Sequence, residues 1–466
     1  AYDAGSNVYG QGTTTKTSGA TKEITIEVNG MNGNNNFAVE TNFDHANIQS
    51  YYDSTNKYYK LVEGAKIQSL GTEQSVRWKI TGRYYNLDVS QAQLGGKNFT
   101  GKIYAISKGC TSEDGSSIKK GYETILANNG GAASMTTLTS TDFATATTAS
   151  DKGMYKAQDD LGTSYYFRGA VDNNWMYIKD MYNCNNGTIS NTDTRNSCTK
   201  IASSGDDIYW RIIRINGDGS IRMIYSGVTP PTESTKVIKT TDTSLGNSPF
   251  NQKYNSAEYV GYMYEIGKQH GTSQSSDIKT YLDNWYANYT DLNKTGTKIT
   301  DQIYCNDRTA STTDVAYSTT NYTTLTSWNS TGTNYYYGAN GRVWNNPVSP
   351  DYKCPVASDK FTTTTAKGNG KLSYPVGLIS VDEITFAGLP AGRANNSFYL
   401  YTRDYYWAGS PYDFFGSSSI EFRVGGGGDL GSNDVYYVRG VRPVVSLSSK
   451  VKLSGNGTYN DVYVVS

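Results

Sequence analysis

The chain has 466 residues, with 42 Lys+Arg against 42 Asp+Glu and only 18% charged residues, so it is polar and formally neutral. Its 48 Gly and 41 Tyr stand beside a hydrophobic fraction of 36%, and 13% aromatics separate it from disordered chains, which lack large side chains to bury. Neutrality removes the basic footprint that nucleic-acid binding and anionic-membrane attachment need, and no run approaches the ~18 apolar residues of a membrane span.

The expected fold class is α+β, mostly β. Residues 1–20 (AYDAGSNVYGQGTTTKTSGA) are small, Thr-rich and helix-poor, and read as an extended amino-terminal arm that strand addition to a neighbouring domain or subunit would order. The start at Ala1-Tyr2-Asp3, without Met or an apolar segment, is what signal peptidase leaves behind a small-residue site. From Lys22 the pattern alternates: Ile24, Ile26 and Val28, then Val76, Trp78 and Ile80, then Ile103, Tyr104 and Ile106, between Gly/Asn turns. Period-two runs of this kind predict a β-sandwich-like domain over 21–145. Thr136 to Ser150 (TTLTSTDFATATTAS) has no sustained periodicity, and a linker is expected at 146–155, ahead of a second domain at 156–466.

In the second domain, Tyr209 to Tyr225 forms two β runs around Asn216-Gly217-Asp218-Gly219, a hairpin signal because Asn-Gly and Asp-Gly tolerate positive φ. Two short helices are predicted. Ser276 caps one whose Ile278, Tyr281, Leu282, Trp285 and Tyr289 share a face, and Ser380 with Glu383 makes a capping box for the other. The remainder after Phe398 reads as short strands and aromatic loops.

Five cysteines point to an oxidising, extracellular compartment. Cys184 and Cys198 bracket a short polar loop, Cys305 and Cys354 a longer one, and neither spacing suits zinc. Disulfides Cys184–Cys198 and Cys305–Cys354 are expected, with Cys110 left over as a buried thiol. The catalytic inventory is thin. The histidines are His45 and His270, neither with a recognisable Ser/Asp arrangement, so both are expected to be solvated. Asp159-Asp160 and Asp206-Asp207 are adjacent pairs whose side chains diverge, and Asp382-Glu383 belongs to the capping box. No enzyme, cofactor or metal is expected.

Six blocks now bear on family. They are GTSYYFRGAVDNNW (Gly162 to Trp175), YWRIIRINGDGSIRMI (Tyr209 to Ile224), YCNDR (Tyr304 to Arg308), GNGKLSYPVGLISVDEITFAG (Gly368 to Gly388), YLYTRDYYWAGSP (Tyr399 to Pro411) and GVRPVVSL (Gly440 to Leu447). Together they resemble exported surface proteins of gut Firmicutes with a carboxy-terminal C-type-lectin-like domain, the fold class of formylglycine-generating-enzyme-like and retroelement-diversified variable proteins. The resemblance covers about 300 residues and implies a C-type-lectin-like domain at 156–466. It implies that Ser380 to Gly388 is that domain's helix, that Cys305–Cys354 is its bridge, that Trp407 is buried, and that two surface loops flank a strand at Ile420 to Val424.

Those loops are Arg403 to Ser419 and Gly425 to Arg439. Their paratope-like composition nominates Arg403, Asp404, Tyr405, Tyr406, Tyr412, Asp413, Phe414, Phe415, Asp429, Asn433, Asp434, Tyr436 and Tyr437 as ligand-binding residues. Tyrosine gives contact area for few immobilised torsions, while Ser, Gly and Asn adapt their hydrogen bonds. The same letters are those that adenine-directed mutagenesis of Asn codons yields, so retroelement diversification is a further expectation. The calcium triplets of sugar-binding lectins are absent, and Trp344-Asn345-Asn346 does not match them. The expected function is an extracellular surface protein whose Tyr-rich loops bind a protein or glycan on another cell or phage. The alternative is a pilus, filament or sheath subunit that polymerises through its amino-terminal arm.

Overall fold

The computed structural model describes residues 120–182, 206–288, 292, 298–311, 334–344 and 347–465, and before them only the backbone of the strands. Cys184–Cys198, His45 and Cys110 lie outside the described residues. The chain divides into two compact units, Ala1–Ile118 and Lys119–Ser466, and is mostly β.

In the first unit the alternating runs are strands. Glu23–Asn29 pairs antiparallel with Lys66–Gln68 and Lys102–Ser107 in one sheet. A second sheet runs Gly10–Thr15, Ser75–Tyr84, Phe37–Phe43, Tyr58–Lys60, Tyr52–Asp53. The arm's Gly10–Thr15 adds as an edge strand to a sheet of the same chain, in register from Thr15↔Ser75 to Gly10↔Ile80.

In the second unit the described residues hold five α-helices: α1 (Gly121–Asn128), α2 (Ser140–Phe143), α3 (Asp277–Asn288), α4 (Gly338–Trp344) and α5 (Val381–Ala387). An eight-stranded sheet contains the predicted hairpin, Asp206–Ile215 against Ile221–Tyr225. The turn uses its glycines differently. Gly219 takes φ +82°, whereas Gly217 is needed for space, because a Cβ there would sit 2.3 Å from the Gly162 backbone nitrogen. Both helix caps form as the sequence implies. Ser276 Oγ accepts from the Lys279 amide at 3.3 Å, and Ser380 and Glu383 close a capping box at 3.1 and 3.0 Å. Cys305 and Cys354 are joined by a disulfide.

Residues 146–155 are not a linker, and the boundary falls at 118/119 instead of 145/146. Ile125 and Leu126 of α1 and Met154 of the strand Lys152–Asp159 enter the main core. Phe143 of α2 packs edge-on against Phe386 of α5 at 4.9 Å, and the Thr147 amide donates to the Gly388 carbonyl at 3.2 Å.

A second, six-stranded sheet positions the nominated residues. Its order is Asn247–Pro249, Val438–Gly440, Tyr406–Phe415, Ser418–Val424, Leu430–Asp434, with Tyr335–Tyr336 also on Tyr406–Phe415. The predicted strand at Ile420 to Val424 is thus present, slightly longer. Trp407 is fully buried, its indole N–H donating to the Ser248 carbonyl at 2.9 Å.

Candidate functional site

The first nominated loop is mostly a core strand. Tyr406–Phe415 runs ten residues through the sheet, and Tyr406, Asp413 and Phe414 are buried in it. Tyr406 donates its hydroxyl to the Leu400 carbonyl at 3.0 Å beneath the Arg442 guanidinium, and Tyr412 is half-buried, edge-on to Phe422 at 4.8 Å. Small residues allow this. The Gly409 amide donates to the Ile379 carbonyl at 2.8 Å, where a Cβ would come 3.1 Å from Leu378. Pro411 sits where the register with Ser418–Val424 shifts, the place a sheet tolerates a residue without an N–H. Three nominations, Tyr406, Asp413 and Phe414, are therefore buried in the packing, and Tyr412 is half-buried beside them.

The exposed remainder converges. Tyr405, Tyr436 and Tyr437 are 44%, 43% and 40% exposed, and Tyr254, which the sequence reading missed, is 45% exposed. Tyr254 lies 4.9 Å from Tyr436 between ring centroids, and Tyr436 stacks on Tyr437 at 5.0 Å. The Arg439 guanidinium then lies 5.1 Å from the Tyr437 ring and 4.7 Å from the Tyr405 ring, and the Arg423 guanidinium lies 5.1 Å from the Tyr405 ring as well. The result is an unbroken surface row: Tyr254, Tyr436, Tyr437, Arg439, Tyr405, Arg423. Rings at these spacings and cations over aromatic faces attract by up to about 1 kcal/mol each, so the row is held in place before any partner arrives.

The polar nominations brace this row. Asn433 Oδ1 accepts from Arg439 Nε at 2.8 Å, Asp429 pairs with Arg423, and Asp434 accepts from the Ser418 hydroxyl. The negative charge of Asp434, followed by burial and Tyr437, pushes the Tyr436 phenol above its ordinary value, so it stays a neutral donor. Arg403 and Asp404 are exposed, Arg403 in the left-handed region at φ 64°, while Phe415 is exposed at the far end of its strand. Nothing places Phe415 in the row. The backbone could have signalled Tyr254 only through its carbonyl, which accepts from the Ser419 amide at 2.7 Å, a long-range pairing invisible in sequence.

A second candidate is a charged cleft beside the disulfide, lined by Asp159, Arg214, Arg222, Arg342, Asp382 and Glu383 among others. Its carboxylates are engaged. Glu383 accepts from Arg214 Nε at 3.0 Å and pairs with Arg222 at 2.5 Å, Asp159 meets Arg214 at 2.7 Å, and Arg342 bridges Asp307 at 2.7 Å and Asp382 at 3.0 Å. Burial pushes the Glu383 carboxyl up, but Arg222 and Arg214 more than offset it and leave it below its ordinary value. The cavity is about 30 Å³, room for a water or two beside the unpartnered Asn216 Oδ1 and Tyr352 hydroxyl. The adjacent acids thus split onto different cations, Asp160 going to Lys360 at 2.7 Å. The Asp206 and Asp207 side chains lie outside the described residues.

A roomier cleft of about 330 Å³ near α2 is lined by Asp142, Asp151, Tyr155 and Arg168. Its acids close local turns on Thr139 and Thr148, and Arg168 donates to four backbone carbonyls at 2.7 to 3.3 Å. His270 is not freely solvated as expected. Its Nδ1 lies 2.9 Å from Oδ2 of the fully buried Asp359, whose other oxygen holds Arg308. Among the described residues no three His, Cys, Asp or Glu side chains are arranged to hold a metal ion, and no helix is long and apolar enough to cross a membrane. No protein-family model, no curated protein and no solved structure matches this chain.

Proposed function

We propose that this is an extracellular surface protein that binds a partner through the row of Tyr254, Tyr436, Tyr437, Arg439, Tyr405 and Arg423, without catalysis. The carrying observation is the concentration of exposed rings. In a chain that buries most of its described tyrosines, four that stay in solvent touch one another or a shared arginine. Exposed aromatic surface costs solvation, and Tyr and Arg are the residues that dominate binding energy at protein interfaces. The Cys305–Cys354 disulfide supports the extracellular setting. The C-type-lectin-like reading of the second unit rests on the six sequence blocks, and short helices beside two larger and two two-stranded β-sheets are compatible with it. The arm's strand, on which the filament alternative draws, is an edge strand paired with Ser75–Tyr84 of its own chain.

The test is a screen of the labelled 466-residue chain against arrayed proteins and glycans. Saturable binding is expected, weakened about tenfold or more by Tyr436→Ala with Tyr437→Ala while the melting temperature holds. Binding that survives the double substitution removes the row from the function.

A further inference from the structure

The row contains one cation without a counter-ion. Arg439 donates from Nε to Asn433 Oδ1 at 2.8 Å and from one terminal nitrogen to the Val438 carbonyl at 3.1 Å. Its other terminal nitrogen has no hydrogen-bond partner among the described residues, and no carboxylate of theirs comes within ion-pair distance. Its neighbour Arg423 is neutralised by Asp429, and the buried Arg214, Arg222 and Arg308 and the half-buried Arg342 all have carboxylates. The remaining buried guanidiniums, such as Arg211 and Arg442, are covered by backbone carbonyls. Among the described residues, Arg439 combines partial exposure, two aromatic neighbours and an unspent donor edge.

Resting on the binding reading above, we propose that Arg439 is a carboxylate-reading site that takes an Asp or Glu side chain of a protein partner. Guanidinium donors are geometrically matched to a carboxylate, and a guanidinium already held at 4.7 and 5.1 Å from two rings surrenders little further freedom on binding. The choice of a protein over an acidic sugar follows from the ring faces. A pyranose binds an aromatic by laying its C–H face on a free ring face. Here Tyr436 and Tyr437 are stacked on each other with 22° between planes, Tyr254 leans on Tyr436, and guanidiniums lie over Tyr405 and Tyr437. The contacts within the row occupy ring faces, and Tyr436 and Tyr437 hydrogen-bond to each other, which leaves ring edges and guanidinium nitrogens to meet a partner. That mixture is suited to hydrogen-bonded protein contacts.

The experiment uses the 466-residue chain and three immobilised probes: a library of short peptides carrying Glu among aromatic residues, the same library with Gln for Glu, and oligogalacturonate. Tighter binding of the Glu library is expected, by about tenfold, weakening as salt is raised. Arg439→Gln should erase that preference, and Arg439→Lys should keep part of it. Equal binding of the Glu and Gln libraries, no binding of either, or a preference that survives Arg439→Gln overturns the proposal. Oligogalacturonate bound as tightly as the Glu library, and lost in Arg439→Gln, overturns the assignment to a protein partner. An array ligand that depends on Tyr436 and Tyr437 but ignores Arg439→Gln leaves the binding face standing and removes only its carboxylate site.

Discussion

At the scale of single residues, burial assigns the roles, and composition cannot see it. Tyr405 and Tyr406 are neighbours in sequence, yet one is exposed in the row and the other sits in the core under Arg442. If this segment is genetically diversified, the buried Tyr406, Asp413 and Phe414 are fixed by packing, and variation is confined to positions such as Tyr405, Asn433, Tyr436 and Tyr437. Glu421 shows the same blindness with an energetic consequence. It lies fully buried on Ser418–Val424 with neither carboxyl oxygen hydrogen-bonded, and burial pushes its carboxyl well above the ordinary value of 4.5, Arg308 opposing only in part. A folded-state value raised above the unfolded one contributes stability that is fully present below about 4.5 and is lost as pH rises through the folded value. Glu421→Gln removes that loss. Thermal melts from acid to mildly alkaline pH should show the variant gaining on wild type as pH rises, by about 1–3 kcal/mol at the alkaline end. Parallel curves would show that the carboxyl is solvated or paired.

At the scale of elements, local signals were legible and long-range ones were not. The hairpin turn, the Ser276 and Ser380 caps and the Cys305–Cys354 bridge were readable because each is written within a few residues or a residue type. The strand Tyr406–Phe415 was not, because Gly409, Ser410 and Pro411 imitate a loop while the Ile379 carbonyl and the Val381 amide hold them in the sheet. Helix α5 shows a local signal concealing a distant one. Glu383 completes its capping box and also neutralises Arg214 and Arg222, which reach it from the hairpin. The two duties separate by mutation. Ser380→Ala should cost about 1 kcal/mol, the usual value of an N-cap. Glu383→Gln keeps a capping oxygen but strands the buried Arg222 guanidinium and leaves Arg214 only Asp159, and should cost about 3–5 kcal/mol by denaturant unfolding. Equal losses would reduce Glu383 to a capping residue.

At the scale of the whole molecule, the question is where the second unit begins. A boundary at 145/146 looked natural because Thr136 to Ser150 has neither period, and its apolar anchors Leu138 and Phe143 are spaced for no regular element. The contacts are tertiary. The Gly121 amide donates to the Val451 carbonyl at 2.6 Å, Asn128 donates to the Tyr463 hydroxyl at 3.1 Å, and α2 closes over α5 through Phe143 and Phe386. Residues 120–150 therefore tie the start of the unit to its end. A fragment 119–466 is expected to unfold in one cooperative transition. A fragment 146–466 loses Ile125, Leu126, Met135 and Phe143 from its cores at once. Removing even one large core side chain costs about 2–5 kcal/mol against a total stability of about 5–15, so the shorter fragment should melt far lower or fail to fold. Near-ultraviolet circular dichroism and denaturant titration of the two fragments decide it. Equal midpoints would return the helices to a linker, whereas collapse of the shorter fragment alone would show that the unit presenting the tyrosine row needs its helical amino-terminal segment.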